Sequence, residues 1–140
     1  MPVSSRSIAR AAVAVAALVV ASCGGGGVKL HPVSGKVFYL DQPAEGATVV
    51  FQPLNSTADS LMPSGKVGAD GSFTLSTHPH GEGAPAGEYV ALVTWYPPNA
   101  RELDNPKNKL SPKYSSQADS PFRVTIKQGA NELEPFRLTK

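Results

Sequence analysis

The stretch GEYVALVTWY, residues 87–96, decides the fold, because it is the longest and most apolar strand that the sequence predicts. Its residues are apolar on both faces when they alternate as in a strand. Two apolar faces are typical of a strand inside a sheet rather than at its edge. We therefore expect residues 87–96 to form a central strand. The predicted faces are Tyr89, Ala91, Val93 and Trp95 on one side, and Val90 and Leu92 on the other.

Six further segments around this strand are predicted to be short strands: 33–40, 47–51, 66–69, 72–77, 122–127 and 132–138. The chain contains 13 Gly and 13 Pro, and no long helical periodicity follows its first residues, so turns separate these strands. Asp70-Gly71 is a strong hairpin signal between the third and fourth of these segments. A change in the phase of inward residues predicts a bulge near Glu134-Pro135. Expected inward residues are Val33, Val37, Tyr39, Val49, Phe51, Phe73, Leu75, Phe122, Val124, Ile126, Leu133, Phe136 and Leu138.

This pattern predicts an all-β fold, a seven-stranded antiparallel Greek-key β-sandwich of two packed sheets. The sandwich is not expected to be a true immunoglobulin domain, because the sequence has one cysteine and cannot form the disulfide of that fold.

The start of the chain predicts a cleavable signal peptide. Arg6 and Arg10 precede residues 11–21, an unbroken run of Ala, Val and Leu. As a helix this run would be roughly 16 Å long, about half of a bilayer core, so it is too short for a transmembrane anchor. A basic start followed by a short apolar run and small residues is typical of secretion signals.

The residues Val20-Ala21-Ser22-Cys23 resemble a bacterial lipobox. The resemblance implies that the Cys23 thiol receives a diacylglycerol, that cleavage precedes Cys23, and that the new amine is acylated. Several acyl chains would hold the chain stably on a membrane, and the glycines that follow would form a flexible tether. We expect a signal peptide at 1–22, the lipidated cysteine and tether at 23–32, and the domain at 33–140, in a bacterial cell envelope and facing the periplasm or the exterior. Ordinary secretion without a role for Cys23 is the alternative.

Charge argues against a nucleic-acid partner. Removal of residues 1–22 takes two of the 13 Lys and Arg residues and none of the 11 Asp and Glu residues, which leaves 11 of each. Lys107, Lys109 and Lys113 are scattered among Pro, Asn and Ser and form no basic stripe.

Four motifs in order resemble the carboxypeptidase regulatory-like domains: VSGKV at 33–37, PAEGATVVF at 43–51, ADGSFTL at 69–75 and PAGEY at 85–89. The resemblance covers 33–91 well and the last two strands loosely. It implies a transthyretin-like (prealbumin-like) sandwich, and small bacterial lipoproteins with one such domain are similar in layout. Since the glycines of these motifs serve turns, the motifs identify a fold and not a reaction.

The sequence predicts no catalytic residue and no cofactor. Acylation would remove Cys23 as a nucleophile, and no G-x-S-x-G motif is present. Hydroxyisourate hydrolases share the transthyretin-like fold, but their closing Tyr-Arg-Gly-Ser signature is missing, because this chain ends PFRLTK at 135–140.

His78 and His80, with Glu82 nearby, are weak candidates for metal ligands, because alternate side chains at a strand end face the same way. Intradiol dioxygenases bind iron through two Tyr residues followed by a His-x-His pair, whereas only Tyr39 precedes His78 in the predicted mature chain. A metal-dependent or hydrolytic enzyme that uses this loop is therefore the alternative function. The simpler interpretation is a polar loop with two exposed histidines.

Trp95 and Tyr96, beside Pro97-Pro98, suggest a carbohydrate platform, since flat rings stack on sugar faces. The inward phase of Trp95 favours core packing, so Tyr96 is the weak candidate for ligand binding. The segment 97–121 is longer than most structureless connections, and its composition favours mobility. We expect a non-catalytic module for ligand or protein binding, adhesion or scaffolding, with an envelope protein or a glycan as partner. Contacts are expected at loops 78–86 and 97–121.

Overall fold

The computed structural model describes residues 28–55 and 60–140. The predicted signal peptide, Cys23 and the glycines after it lie outside the described residues. The described part contains no α-helix, two 3₁₀ helices (Ala100–Glu102 and Pro112–Ser115), and no helix with the length and apolar character needed to cross a membrane. Its strands are β1 (Val33–Tyr39), β2 (Gln42–Pro43), β3 (Thr48–Pro53), β4 (Ser64–Lys66), β5 (Ser72–Thr74), β6 (Ser76–Thr77), β7 (Gly81–Glu82), β8 (Gly87–Thr94), β9 (Arg123–Ile126), β10 (Asn131–Glu132) and β11 (Phe136–Leu138).

The strands form two sheets. In the first, sheet I, β1 is central: β10 and then β11 pair with it in parallel, and β5 and then β2 pair with it antiparallel. The second, sheet II, has the order β7-β6-β4-β3-β8-β9 and is antiparallel at every described pairing. β8 lies between β3 and β9, which confirms that residues 87–96 supply an interior strand.

The core lies between the two sheets and combines buried residues from both. The ring of Phe136 in β11 contacts residues of both sheets. Its centroid lies 6.4 Å from that of Phe51 in β3 and 6.0 Å from that of Phe73 in β5. Phe122 approaches the same ring at 4.7 Å. Burying a side chain of this size contributes roughly 1.5–3 kcal/mol. The chain is therefore an all-β protein with sandwich-like packing of two sheets.

Alternation in the sequence predicted most of the core. Val33, Val37, Val49, Phe51, Phe73, Leu75, Tyr89, Ala91, Val93, Ile126, Phe136 and Leu138 are all buried, whereas Tyr39, Trp95, Phe122, Val124 and Leu133 are partly buried against the same cluster.

Strand partners differ from the expectation in three places. β5 and β6 were predicted as one strand, but β5 joins sheet I and β6 joins sheet II, with the buried Leu75 between them. The turn at Asp70-Gly71 is present, with φ +85° at Gly71, but the strands on either side of it belong to different sheets. The pairings of β1 with β10 and β11 are parallel, because a connection of nearly the whole chain length does not force an antiparallel pair as a hairpin does.

The predicted bulge near Glu134-Pro135 is a complete interruption, which divides the last segment into β10 and β11. The described residues form eleven strands instead of seven, since two predicted strands divide and two short strands, Gln42–Pro43 and Gly81–Glu82, were not predicted.

Segment 97–121 is packed against the core, which corrects the mobility expected from its composition. Leu110 and Tyr114 are 4% and 2% exposed and belong to the core cluster. The Ser120 hydroxyl donates to the carbonyl of Ala91 at 2.7 Å. The Tyr114 ring stacks on Phe122 with centroids 5.8 Å apart.

The packed part of the chain begins before Val33. His31, which the sequence assigned to the tether, is buried and exchanges two backbone hydrogen bonds with Ala84, at 2.8 and 2.9 Å. Its Nδ1 also accepts from the Gly129 N–H at 3.1 Å. His31 therefore fastens the start of the domain near the Gly87 end of β8.

Candidate functional site

A surface groove of about 660 Å³ lies at the end of sheet II where β8 ends. We call it the Trp95 groove. Its walls come from four separate parts of the chain, which the topology brings together at the Thr94 end of β8. It is formed by residues 45–46, 66–68, 95–98 and 100–101, with Thr48 and Lys109.

Trp95 is fixed in this groove through both its backbone and its ring. Its N–H donates to Asn108 Oδ1 at 2.8 Å, and its carbonyl accepts from the Lys109 N–H at 2.8 Å. The indole Nε1–H donates to the carbonyl of Glu45 at 2.9 Å. Asn108 Oδ1 accepts a second bond, from the Leu110 N–H at 3.1 Å. The two ends of segment 96–107 are thus held against each other, and this segment forms one wall of the groove.

The Trp95 ring already has two side-chain partners. Tyr39 meets the ring edge-on, with centroids 5.7 Å apart, and the Lys109 ammonium lies 4.6 Å from the ring centroid. Trp95 is half-buried and packs against the core, as its inward phase predicted, while also lining the groove. Tyr96 is 44% exposed, as its outward phase predicted, and is the ring in the groove that remains available.

The charged side chains of the groove are predominantly basic. Lys66, Arg101 and Lys109 line it together with one acid, Glu45, and all four are exposed. Across residues 28–55 and 60–140 the one ion pair within 4 Å joins Arg137 to Asp41, at 3.4 Å, so none of the three cations of the groove is paired. The groove therefore carries an excess of positive charge beside aromatic surface.

Sequence reasoning missed these three cations as a group. Lys66 is the last residue of β4, Arg101 lies in the first 3₁₀ helix and Lys109 lies between the two 3₁₀ helices, so no local pattern joins them. The sequence grouped Lys109 with Lys107 and Lys113 as scattered lysines. Lys109 lines the groove, whereas Lys107 and Lys113 do not. The signal that unites the three cations is topological and appears only when the strands are paired.

Two other surface depressions have more acidic than basic side chains. One of about 510 Å³ contains Lys36 with Glu132 and Glu134, and one of about 420 Å³ contains Arg123 with the same two acids. Neither combines an excess of positive charge with an exposed aromatic platform.

His78 and His80 lie in the turn between β6 and β7, and both side chains are exposed. The His80 N–H donates to the Thr77 carbonyl at 2.7 Å, which closes the turn. Glu82 is also exposed, in β7. Within the described residues no group of three or more His, Cys, Asp or Glu side chains is arranged to hold a metal ion.

Shifted pKa values outside the groove have structural causes. Hydrogen bonds from the Ser72 hydroxyl and N–H to the Asp70 carboxylate, at 2.6 and 3.0 Å, hold the pKa of Asp70 below its usual value and secure the turn. Burial raises the pKa of Tyr89, whose hydroxyl donates to the Pro85 carbonyl at 2.8 Å. Both groups therefore have shifts that local hydrogen bonding or burial explains.

No protein-family model matches the chain, and no curated protein matches it in sequence.

Proposed function

We propose that this chain is a lipid-anchored protein of the bacterial cell envelope whose domain is a non-catalytic binding module, with the Trp95 groove as its contact surface. The observation that carries the proposal is the combination in one groove of the exposed Tyr96 ring, the fixed Trp95 ring and three cations that form no ion pair with any described residue. Pockets that bind ligands typically combine apolar walls with a few convergent polar groups, and measure roughly 300–1,000 Å³.

The proposal also covers the cellular location of the protein and a more specific fold type. The lipobox-like residues that end at Cys23 support membrane attachment by acyl chains. The four turn motifs between 33 and 89 support a transthyretin-like Greek-key sandwich of the carboxypeptidase regulatory-like type.

The groove and the N-terminal start of the domain lie at opposite ends of β8, which supports a domain that is tethered through its N-terminus. His31 is bonded to Ala84 and Gly129, close to the Gly87 end of β8, whereas Trp95 follows the opposite end of that strand. Eight strand residues span about 26 Å. β1 runs in the same sense, since it starts two residues after His31 and its last residue, Tyr39, contacts Trp95. A domain tethered through its N-terminus would present this groove on the side away from the membrane.

Binding is tested with the full chain in neutral detergent and a solubilised envelope fraction. We expect Tyr96→Ala to release the captured component, because it removes the exposed ring of the groove. Met62→Ala is the matched control, since Met62 is 52% exposed and lies outside the groove. Equal retention by wild type and Tyr96→Ala would contradict the assignment of the groove.

A loop variant tests the wall of the groove independently. Deletion of the whole of 99–120 would remove the core residues Leu110 and Tyr114, so loss of binding would only report unfolding. Replacement of residues 98–106 by Gly and Ser leaves the bonds from Trp95 to Asn108 and Lys109 in place. We expect a folded protein with lost capture, and undiminished capture would exclude this loop from the contact.

The predicted lipid attachment is tested with Cys23→Ala in a bacterial host. We expect lipid labelling to disappear and uncut precursor to accumulate, as judged by metabolic labelling and gel mobility. Labelling that persists in Cys23→Ala would show that the lipobox interpretation is wrong.

A further inference from the structure

The geometry of the Trp95 groove points to a specific ligand class, an acidic carbohydrate whose sugar ring lies on Tyr96 and whose carboxylate lies among Lys66, Arg101 and Lys109. This inference rests on the proposed function, because it takes the groove as the ligand surface. It goes further by assigning the charge and the chemical class of the ligand.

The charge of the groove favours an anion. Lys66, Arg101 and Lys109 come from three separate segments and meet in one groove, and no carboxylate of residues 28–55 and 60–140 lies within 4 Å of any of them. Like charges around one concavity repel one another, and an anion placed between them removes that repulsion and gains attraction to each. Since Arg and Lys donate hydrogen bonds to carboxylate oxygens, the three side chains supply the donors that such an anion needs.

Lys109 is held in place before any ligand arrives. Its backbone N–H donates to the Trp95 carbonyl at 2.8 Å, and its ammonium lies 4.6 Å from the centroid of the Trp95 ring. The ring is itself fixed by the bond from Nε1 to the Glu45 carbonyl. A cation that packing already restrains loses less side-chain entropy on binding, which makes it an effective anchor.

The remaining surface favours a sugar ring over a bare anion. Tyr39 and Lys109 already contact the Trp95 ring, whereas Tyr96 is 44% exposed beside Pro97 and Pro98. The fixed φ of the two prolines restricts the backbone that presents the Tyr96 ring. A flat ring with a negative face attracts the C–H groups of a sugar, so Tyr96 and the cations together match a uronic acid unit.

The test uses the full chain in neutral detergent and the emission of Trp95, which is the one tryptophan of the sequence and lies in the groove. The probe is tetragalacturonic acid, and its methyl ester is the matched neutral probe with the same rings. We expect the acid to bind at least about tenfold more tightly than the ester, because charged hydrogen bonds are lost on esterification. We also expect its affinity to fall as the salt concentration rises from about 0.05 to about 0.5 M.

Variants locate the site. We expect each of three variants to lower the affinity for the acid by about tenfold and to change the affinity for the ester little: Lys66→Gln, Arg101→Gln and Lys109→Gln. Lys113→Gln is the control, because the Lys113 ammonium also lies over a ring, 4.9 Å from the centroid of Tyr114, but outside the groove. Far-UV circular dichroism verifies that each variant is folded.

The outcomes separate this inference from the proposed function. Equal binding of acid and ester, or an equal loss in Lys113→Gln, overturns the acidic ligand and leaves the groove as a neutral or different contact surface. Binding of neither probe also overturns it, and envelope capture that Tyr96→Ala abolishes would then leave the proposed function standing. Selective, salt-sensitive binding of the acid that the three groove variants weaken supports the inference.

Discussion

Leu110→Ala tests whether the long segment 97–121 is a structural part of the domain. Leu110 is 4% exposed and belongs to the core cluster, and its N–H is bonded to Asn108 Oδ1. The same segment provides a matched control, because Leu103 is 43% exposed. Both changes remove the same atoms, so a difference between them measures burial rather than chemistry.

The magnitude follows from the burial of the two side chains. Truncation of a buried Leu to Ala costs about 2–5 kcal/mol, since it loses transfer free energy and leaves a cavity. We expect about 3 kcal/mol for Leu110→Ala, as the side chain lies at the margin of the core where neighbours partly relax. Leu103→Ala should change the free energy of unfolding by less than about 0.5 kcal/mol. For a domain of this size, 1 kcal/mol corresponds to about 4 °C, so Leu110→Ala should lower Tm by about 12 °C.

Urea unfolding of the full chain in detergent measures both variants with two probes. Far-UV circular dichroism follows the sheets, and the emission of Trp95 follows the attachment of the segment, because Trp95 is bonded to Asn108 and Lys109. We expect the two transitions to coincide in the wild type if the segment and the sheets unfold together. Equal midpoints for Leu110→Ala and Leu103→Ala would refute the assignment of Leu110 to the core. A Trp95 transition that precedes the loss of sheet would show that the segment detaches independently.

Three further predictions concern other parts of the domain. Gly83→Ala should lower Tm strongly, because Gly83 has φ +98° and an added Cβ would lie 2.6 Å from the carbonyl oxygen of His31; thermal unfolding close to that of the wild type would contradict this close approach. Asp70→Asn should destabilise at neutral pH. The pKa of Asp70 in the folded state is below the usual 3.8, so the folded state binds fewer protons than the unfolded state. The contribution of Asp70 to stability is therefore present above about pH 4. It declines as the pH falls through the folded pKa. Urea midpoints from pH 7 to about 2 measure the difference from the wild type, and a difference that grows in acid would have the wrong sign. Purified protein should carry no stoichiometric metal by elemental analysis, and His78→Ala with His80→Ala should leave folding unchanged, whereas bound metal that this variant loses would support the enzyme alternative.

The sequence predicted which residues are buried more successfully than which strands are neighbours. Alternation in Phe73 and Leu75 correctly placed both side chains inward, but it carries no information on the sheet to which each belongs. The chain changes sheets at Leu75, whose N–H donates to the Val33 carbonyl, and no local pattern marks that change. Alternation reports a face of a strand, whereas a partner is chosen by packing across the whole domain.

The candidate site shows the same limit. Tyr96 was identified because its outward phase and its neighbouring prolines are local features of the sequence. Lys66 and Arg101 are 35 positions apart in the numbering and meet only because β4 and β8 both flank β3. Composition also misjudged segment 97–121, since two apolar residues among many polar ones are enough to attach it to the core.

The paths of β1 and β8 link the proposed tether to the proposed ligand site. Both strands run from the end of the domain at His31 toward the end at Trp95. If the chain is anchored through its N-terminus and a ligand is held in the Trp95 groove, tension between the two enters along β1. That strand is paired in parallel with β10 and β11 and antiparallel with β5 and β2. Force along a strand loads its lateral hydrogen bonds together rather than one after another, so this topology suits a module that holds its ligand against a pull from the membrane.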